Sequence, residues 1–203
     1  MDAAATLAPI SWERMLRAVE KVRDRLLRAA RALEARQVPY AIAGGNAVAA
    51  WVSRVDETAV RNTRDVDILL RRSDLPAAQR ALEAAGFVYR RVSSLAQPGG
   101  LDLFLDGPNA SVRDAVQIVF AREKVRPENP TASPDVDESE SADAFRVVTL
   151  AALVRMKLTA YRDKDRTHLR DLIEVGLVNA DWVGRLPAEL AARLRALLDT
   201  PEG

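Results

Sequence analysis

Apolar positions recur at helical spacing along "SWERMLRAVEKVRDRLLRAARALEARQ": Leu16, Val19, Val22, Leu26, Leu27, Ala30 and Leu33 predict one buried stripe on an amphipathic helix. Ser11 stands where an N-cap belongs. Pro39 closes that segment, and "YAIAGG" reads as a short buried strand entering a turn. "NAVAAWVSRV" is helical and rich in small residues, "DETAVRNT" is a polar loop, and "DVDILL" is a strand. Ser73 or Asp74 caps the next helix, with Pro76 in its first turn and Gly86 just past its end. "FVYRRV", "LDLFLDG" and "AVQIVFA" predict three further strands.

The order helix, strand, helix, strand, helix and three strands predicts an α/β (α+β) mixed sheet flanked by helices. The run "RPENPTASPDVDESESADA" is polar and acidic, and reads as a linker or long surface loop. Beyond it lies a small helical region: "TLAALVRMKLTAYR" starts at a Thr149 cap, "RTHLRDLIEVG" stops at Gly176, and the last helix has start signals at Asp181 and Pro187. The expected organisation is a core with its N-terminal helix over 1–126, an acidic Pro/Ser-rich linker or loop over 127–144, and a helical region over 145–203.

Composition narrows the function classes. The chain has 203 residues with 48% hydrophobic content, enough for one sizeable core. Its net charge of +1 lacks the strong basic balance of a nucleic-acid coat protein. The absence of cysteine excludes disulfides and thiolate metal sites and fits a reducing cytoplasm. No apolar run approaches the roughly 18 residues of a membrane span. The N-terminal stretch is too acidic and too weakly apolar for a secretory signal. The expectation is a cytoplasmic protein with no membrane partner.

Two short motifs carry candidate chemistry. Gly44 and Gly45 lie at a strand-to-helix junction, where glycine permits positive φ and close approach of a ligand. The first N–H groups of the following helix lack intrahelical partners and favour an anion, with Asn46 adding a side-chain donor. In "TRDVDILL", Asp65 and Asp67 project to the same face of a strand. Two carboxylates side by side repel, and that repulsion is relieved by a raised pKa or by a cation such as Mg²⁺. The ordinary alternatives are a tight turn, and two solvent-facing acids paired with Arg64 or Arg71.

Together the two motifs, "AGGNAVAAW" and "TRDVDILL", resemble the signature of the nucleotidyltransferase superfamily. With the looser match of "RMKLTAYRDKDRTHLRDL", the chain is most similar to AbiEii-like nucleotidyltransferases, the enzymatic toxins of type IV toxin–antitoxin systems, over roughly residues 40–176. The resemblance implies a nucleotidyltransferase-like fold, a nucleoside triphosphate (NTP) substrate and Mg²⁺ held by Asp65 and Asp67. Gly44, Gly45 and Asn46 would contact the β- and γ-phosphates. It implies transfer to an acceptor, tRNA, another RNA or a protein hydroxyl, and an antitoxin partner. Arg54, Arg61, Arg64, Arg71 and Arg72 are the cations expected around that site. Lys157 either covers core with its stem or reaches the triphosphate. Asp171 could hydrogen-bond Lys157 or Arg162 and orient it, while Asp165 reads as part of a helix-start salt-bridge cluster. His168, the only histidine, lacks the second His or Cys of a metal site.

One departure separates the sequence from that pattern. The family places a third carboxylate on a later neighbouring strand, and the aligned position here is Gln117, a neutral amide that cannot accept a proton. Asp102 is the best substitute, ahead of Asp114 and Glu123. The alternatives are therefore an active transferase, a catalytically impaired nucleotide-binding or regulatory module of the same fold, or a small-molecule transferase acting on an aminoglycoside, for which an acidic acceptor pocket is expected.

Overall fold

A computed structural model describes residues 9–94 and 97–200, so the first eight residues, read above against a secretory signal, lie outside it. Six helices are labelled α1 (Trp12–Ala35), α2 (Gly44–Ser53), α3 (Leu75–Ala84), α4 (Leu150–Ala160), α5 (Asp163–Glu174) and α6 (Ala188–Asp199). Seven strands are β1 (Ala41–Ala43), β2 (Val66–Leu70), β3 (Val88–Ser94), β4 (Gln97–Leu105), β5 (Ala115–Phe120), β6 (Ser139–Ser141) and β7 (Arg146–Val148). They form one sheet in the order β3-β4-β5-β2-β1-β7-β6. β1 pairs antiparallel with β2 and parallel with β7, and β2 pairs parallel with β5. The sheet is mixed and flanked by helices, as the element order predicts.

Alternation along the strands divides the core in two. Ile42, Val66, Ile68, Phe104, Val116 and Ile118 face α1 and α3, packing on Leu26, Ala30, Leu33 and Leu82. Ala41, Ala43 and Leu69 face the other way, toward α2 and the three C-terminal helices, with Val48, Leu153, Leu158, Leu169, Leu172 and Leu194. Trp51 ties α2 to the sheet by donating its indole N–H to the Val148 carbonyl at 3.0 Å. The second layer is continuous with α4–α6, so the C-terminal helices complete one face of the sheet.

Three elements differ from their sequence reading. The stretch 127–144 is folded against the body: β6 pairs with β7, Asp135 takes hydrogen bonds from Arg71 and Arg122, and Glu138 takes one from Arg155. Ion pairs, together with the buried Val136, hold this polar segment, and its many acids are why its composition resembles that of a linker. The helical region opens with strand β7, which adds to β1 before the Thr149 side chain caps α4 by accepting from the Ala152 N–H. In α1, only the C-terminal half of the stripe is covered. Leu26, Ala30 and Leu33 are buried, whereas Leu16 and Val19 are exposed together with Trp12 and Met15. Periodicity shows which face is apolar and cannot show where the sheet beneath it ends.

Candidate active site

The antiparallel register of β1 and β2 sets Ala43 opposite Asp67, so the chain leaves β1 at Gly44 directly beside that carboxylate. Gly44 has φ +65°, and a Cβ built there would lie 1.8 Å from Asp67 Oδ2. A Cβ on Gly45 would meet the Thr63 side chain at 2.8 Å. Both glycines are therefore required by close approach, and they open α2, whose N-cap residue Ala43 offers no side-chain cap. The first N–H groups of α2 and the Asp67 carboxylate share one corner of the sheet.

Asp65 lies just before β2, is about half exposed, and forms an ion pair with Lys164 of α5 at 3.6 Å. Asp67 is largely enclosed. Burial pushes its pKa above the usual carboxylate range, and the Asp65 charge adds to that, against the pull of Lys157, Lys164 and Arg162. The parallel register of β2 and β5 sets Gln117 beside Asp67. Gln117 is therefore the β5 residue adjacent to Asp67.

The structure does not bring Asp102 to this corner. Leu103 pairs with Gln117 and shares its face, so Asp102 projects from the opposite face, where it is buried and accepts a hydrogen bond from the Tyr89 hydroxyl. Asp114 is turned toward Arg25, and Glu123 takes two hydrogen bonds from Arg72. None of the three substitutes considered stands beside Asp67.

Lys157 comes in from α4 and is 5% exposed. Its Nζ donates to Asp165 Oδ1 at 3.0 Å. Burial lowers its pKa, while Asp165 and Asp67 pull it back up. Asp165, itself 1% exposed, also accepts from Arg162 Nε at 2.7 Å. Burial would raise the Asp165 pKa, but the Arg162 hydrogen bond and the Lys157 and Arg162 charges bring it below its ordinary value. The carboxylate that orients Lys157 and Arg162 is therefore Asp165 and not Asp171. Asp171 instead accepts from Arg61 at 2.7 Å, with its second oxygen buried and without a hydrogen bond. The exchange follows from the connection between α4 and α5: Tyr161 adopts a left-handed conformation, φ 48°, which folds the first turn of α5 back over Lys157.

Asn46 donates to the Asp65 carbonyl at 2.7 Å and braces the DxD segment. Four of the five arginines expected around the site are committed to carboxylates: Arg54 to Glu140, Arg61 to Asp171, Arg71 to Asp135 and Asp137, and Arg72 to Glu123. Arg64 does line the cleft. A cavity of about 540 Å³ joins these parts, bounded by Gly44, Gly45, Asp65, Asp67 and Gln117 on the sheet side and by Lys157, Arg162, Lys164 and His168 on the helical side. Its outer wall is formed by Arg126 and, from the 127–144 segment, by Asn129 and Thr131. His168 was assigned no chemistry from sequence. Here its buried Nδ1 lacks a hydrogen bond, and burial followed by the nearby Lys157 charge lowers its pKa to about 4, so it is neutral at pH 7. No group of three or more His, Cys, Asp or Glu suited to a metal occurs among the described residues, so any cation here rests on the Asp65 and Asp67 pair with other oxygen donors.

No protein-family profile matches the sequence, and no curated protein matches it. Solved structures do. A nucleotidyltransferase-like protein from Paracoccidioides brasiliensis aligns over 90% of this chain and 90% of its own, with 16% identity and a TM-score of 0.54. The antibiotic-resistance factor ANT(2'')-Ia aligns over 92% of each chain, with 15% identity and a TM-score of 0.49. JHP933 from Helicobacter pylori aligns over 96% of this chain and 95% of its own, with 12% identity and a TM-score of 0.45. The first of these likenesses shows that the chain has a nucleotidyltransferase-like fold.

Proposed function

We propose that this chain binds a nucleoside triphosphate in the cleft and transfers its nucleotidyl group to an acceptor hydroxyl. The observation that carries the reading is the contact of Gly44 with Asp67. A turn with no room for a Cβ places bare helix N–H groups, which attract phosphate, against a carboxylate able to hold a cation. Asp65 and Asp67 would hold Mg²⁺: their donors are all oxygen, and Gln117, the register neighbour of Asp67, lines the same cleft. When bound, the ion supplies charge stabilisation on the reacting phosphate. The chain's own residues do the positioning. Lys157, fixed by Asp165, sits on the helical side of the cleft, and Arg64, Arg126, Arg162 and Lys164 add positive charge around it.

The charge of this cleft bears on the acceptor. Five cationic side chains line it against the acids Asp65, Asp67 and Asp165, and Asp165 is already paired twice. Such a wall suits an anionic acceptor such as tRNA or another RNA better than a polycationic aminoglycoside. A protein hydroxyl is the other acceptor consistent with the reading. A toxin-type role, with an antitoxin as partner and action in the cytoplasm where NTPs are plentiful, belongs to the same proposal. Growth arrest on expression that disappears with Asp67→Asn checks it.

Gln117 favours a second reading, a nucleotide-binding or regulatory module without transfer, because no carboxylate stands in its place to take the acceptor's proton. Incubation with α-labelled NTPs, Mg²⁺ and total RNA separates the two. Label transfer lost in Asp67→Asn supports the transferase. Nucleotide binding without transfer to RNA or protein supports the second reading, and absence of nucleotide binding refutes both.

A further inference from the structure

We infer that the first three turns of α1 form an isologous dimer interface, pairing antiparallel with the same turns of a second copy. Trp12, Met15 and Val19 continue the stripe that α1 buries lower down, yet they are 66%, 58% and 40% exposed, and Leu16 beside them is 47% exposed. Four large apolar side chains in one contiguous patch on a single helix are more than scattered surface residues supply.

Three observations specify a second copy as the occupant. First, Trp12, Met15, Val19 and Val22 alternate at steps of three and four residues, the seam of a helix that packs along another helix. Second, the seam matches itself. A two-fold axis beside Arg17 sets Trp12 against Val22 of the partner subunit and Met15 against Val19 of the partner subunit, so each layer combines a long side chain with a β-branched one. Third, there is a receptor for the largest side chain. Val22 lies at the wall of an open groove of about 740 Å³ with Leu26, Ala49, Ala50 and Phe145, and the alanines of α2 leave space there. The same axis brings Trp12 of each copy over the groove of the other. The exposed parts of Trp12, Met15, Leu16 and Val19 come to on the order of 400 Å² in each copy, about 800 Å² in all, the size of a weak, transient pair.

Sedimentation velocity at up to about 100 µM protein tests this, since even a weak isologous pair is populated there. The wild-type chain is expected to sediment as a dimer. Trp12→Glu and Met15→Glu, both exposed in the single chain, are expected to weaken the dimer at least a hundredfold with unchanged circular dichroism and melting temperature. Val112→Glu, which alters an exposed valine elsewhere, is expected to leave it intact. The chain has no cysteine of its own, so mixed Met15→Cys and Val19→Cys chains report the direction of pairing. Oxidation is expected to join unlike chains in preference to like ones. A monomeric wild type, a dimer indifferent to both glutamate variants, or preferential coupling of like chains would each overturn the proposal.

Discussion

Gly44 concentrates the argument at the scale of single residues. Gly44→Ala adds a Cβ within 1.8 Å of an Asp67 oxygen and a side chain at φ +65°, the latter alone costing about 1–2 kcal/mol. The carboxylate has to move, so NTP affinity measured by calorimetry is expected to fall at least tenfold while the far-UV spectrum stays native. His168 makes a separate, pH-dependent prediction. Its folded pKa of about 4 lies below the ordinary 6.5, so between those values the unfolded chain binds a proton that the folded chain does not. Stability is therefore unaffected by this group above pH 6.5 and is lost as pH falls toward 4. Urea unfolding at pH 7.5 and 4.5 should show a smaller loss for His168→Asn than for the wild type, by about 1 kcal/mol once solvent screening of this partly exposed ring is allowed for. Gly44, Gly45, Asp65 and Asp67 were legible as motif residues because β-strand alternation and the strand-to-helix turn are local rules. The contact between Gly44 and Asp67 was not, since it depends on how β1 and β2 register.

At the scale of elements, the hinge between α4 and α5 decides which acid serves which base. The acid-rich start of α5 offers several partners for Lys157, and sequence spacing cannot rank them across a helix break. The left-handed Tyr161 selects Asp165. Asp165→Ala leaves a buried lysine without its carboxylate and is expected to cost about 3–5 kcal/mol by urea unfolding. Adding Lys157→Met should recover a large part of that loss, because the uncompensated charge goes too. If the double variant is as unstable as the sum of its parts, the pair is not the coupled unit described. The register of β2 with β5 gives an opposite kind of test. Gln117→Glu restores a carboxylate beside Asp67 and is expected to raise label transfer tenfold or more, within what a general base contributes. An unchanged rate would remove Gln117 as the weak point of the site. The segment 127–144 reads as a linker or surface loop because its acids are many, and it is held in place because acids have arginines opposite, as Asp135 has Arg71, and because Val136 is buried.

For the whole molecule, the element order was enough to anticipate a mixed sheet between helices, and the fold neighbour supports that architecture. Strand order, the addition of β7 to β1 and the closing of the cleft by 122–134 depend on long-range pairing and left no local mark. The cleft lies between the sheet corner and α4–α5, and no helix among the described residues is long and apolar enough to cross a membrane. What occupies that cleft decides the function. Calorimetric titration of the four NTPs with and without Mg²⁺, on the wild type and Asp67→Asn, measures it most directly. Metal-dependent binding of at least one NTP is expected, weakened tenfold or more in Asp67→Asn. Binding of no NTP, or equal binding by the two proteins, would contradict it.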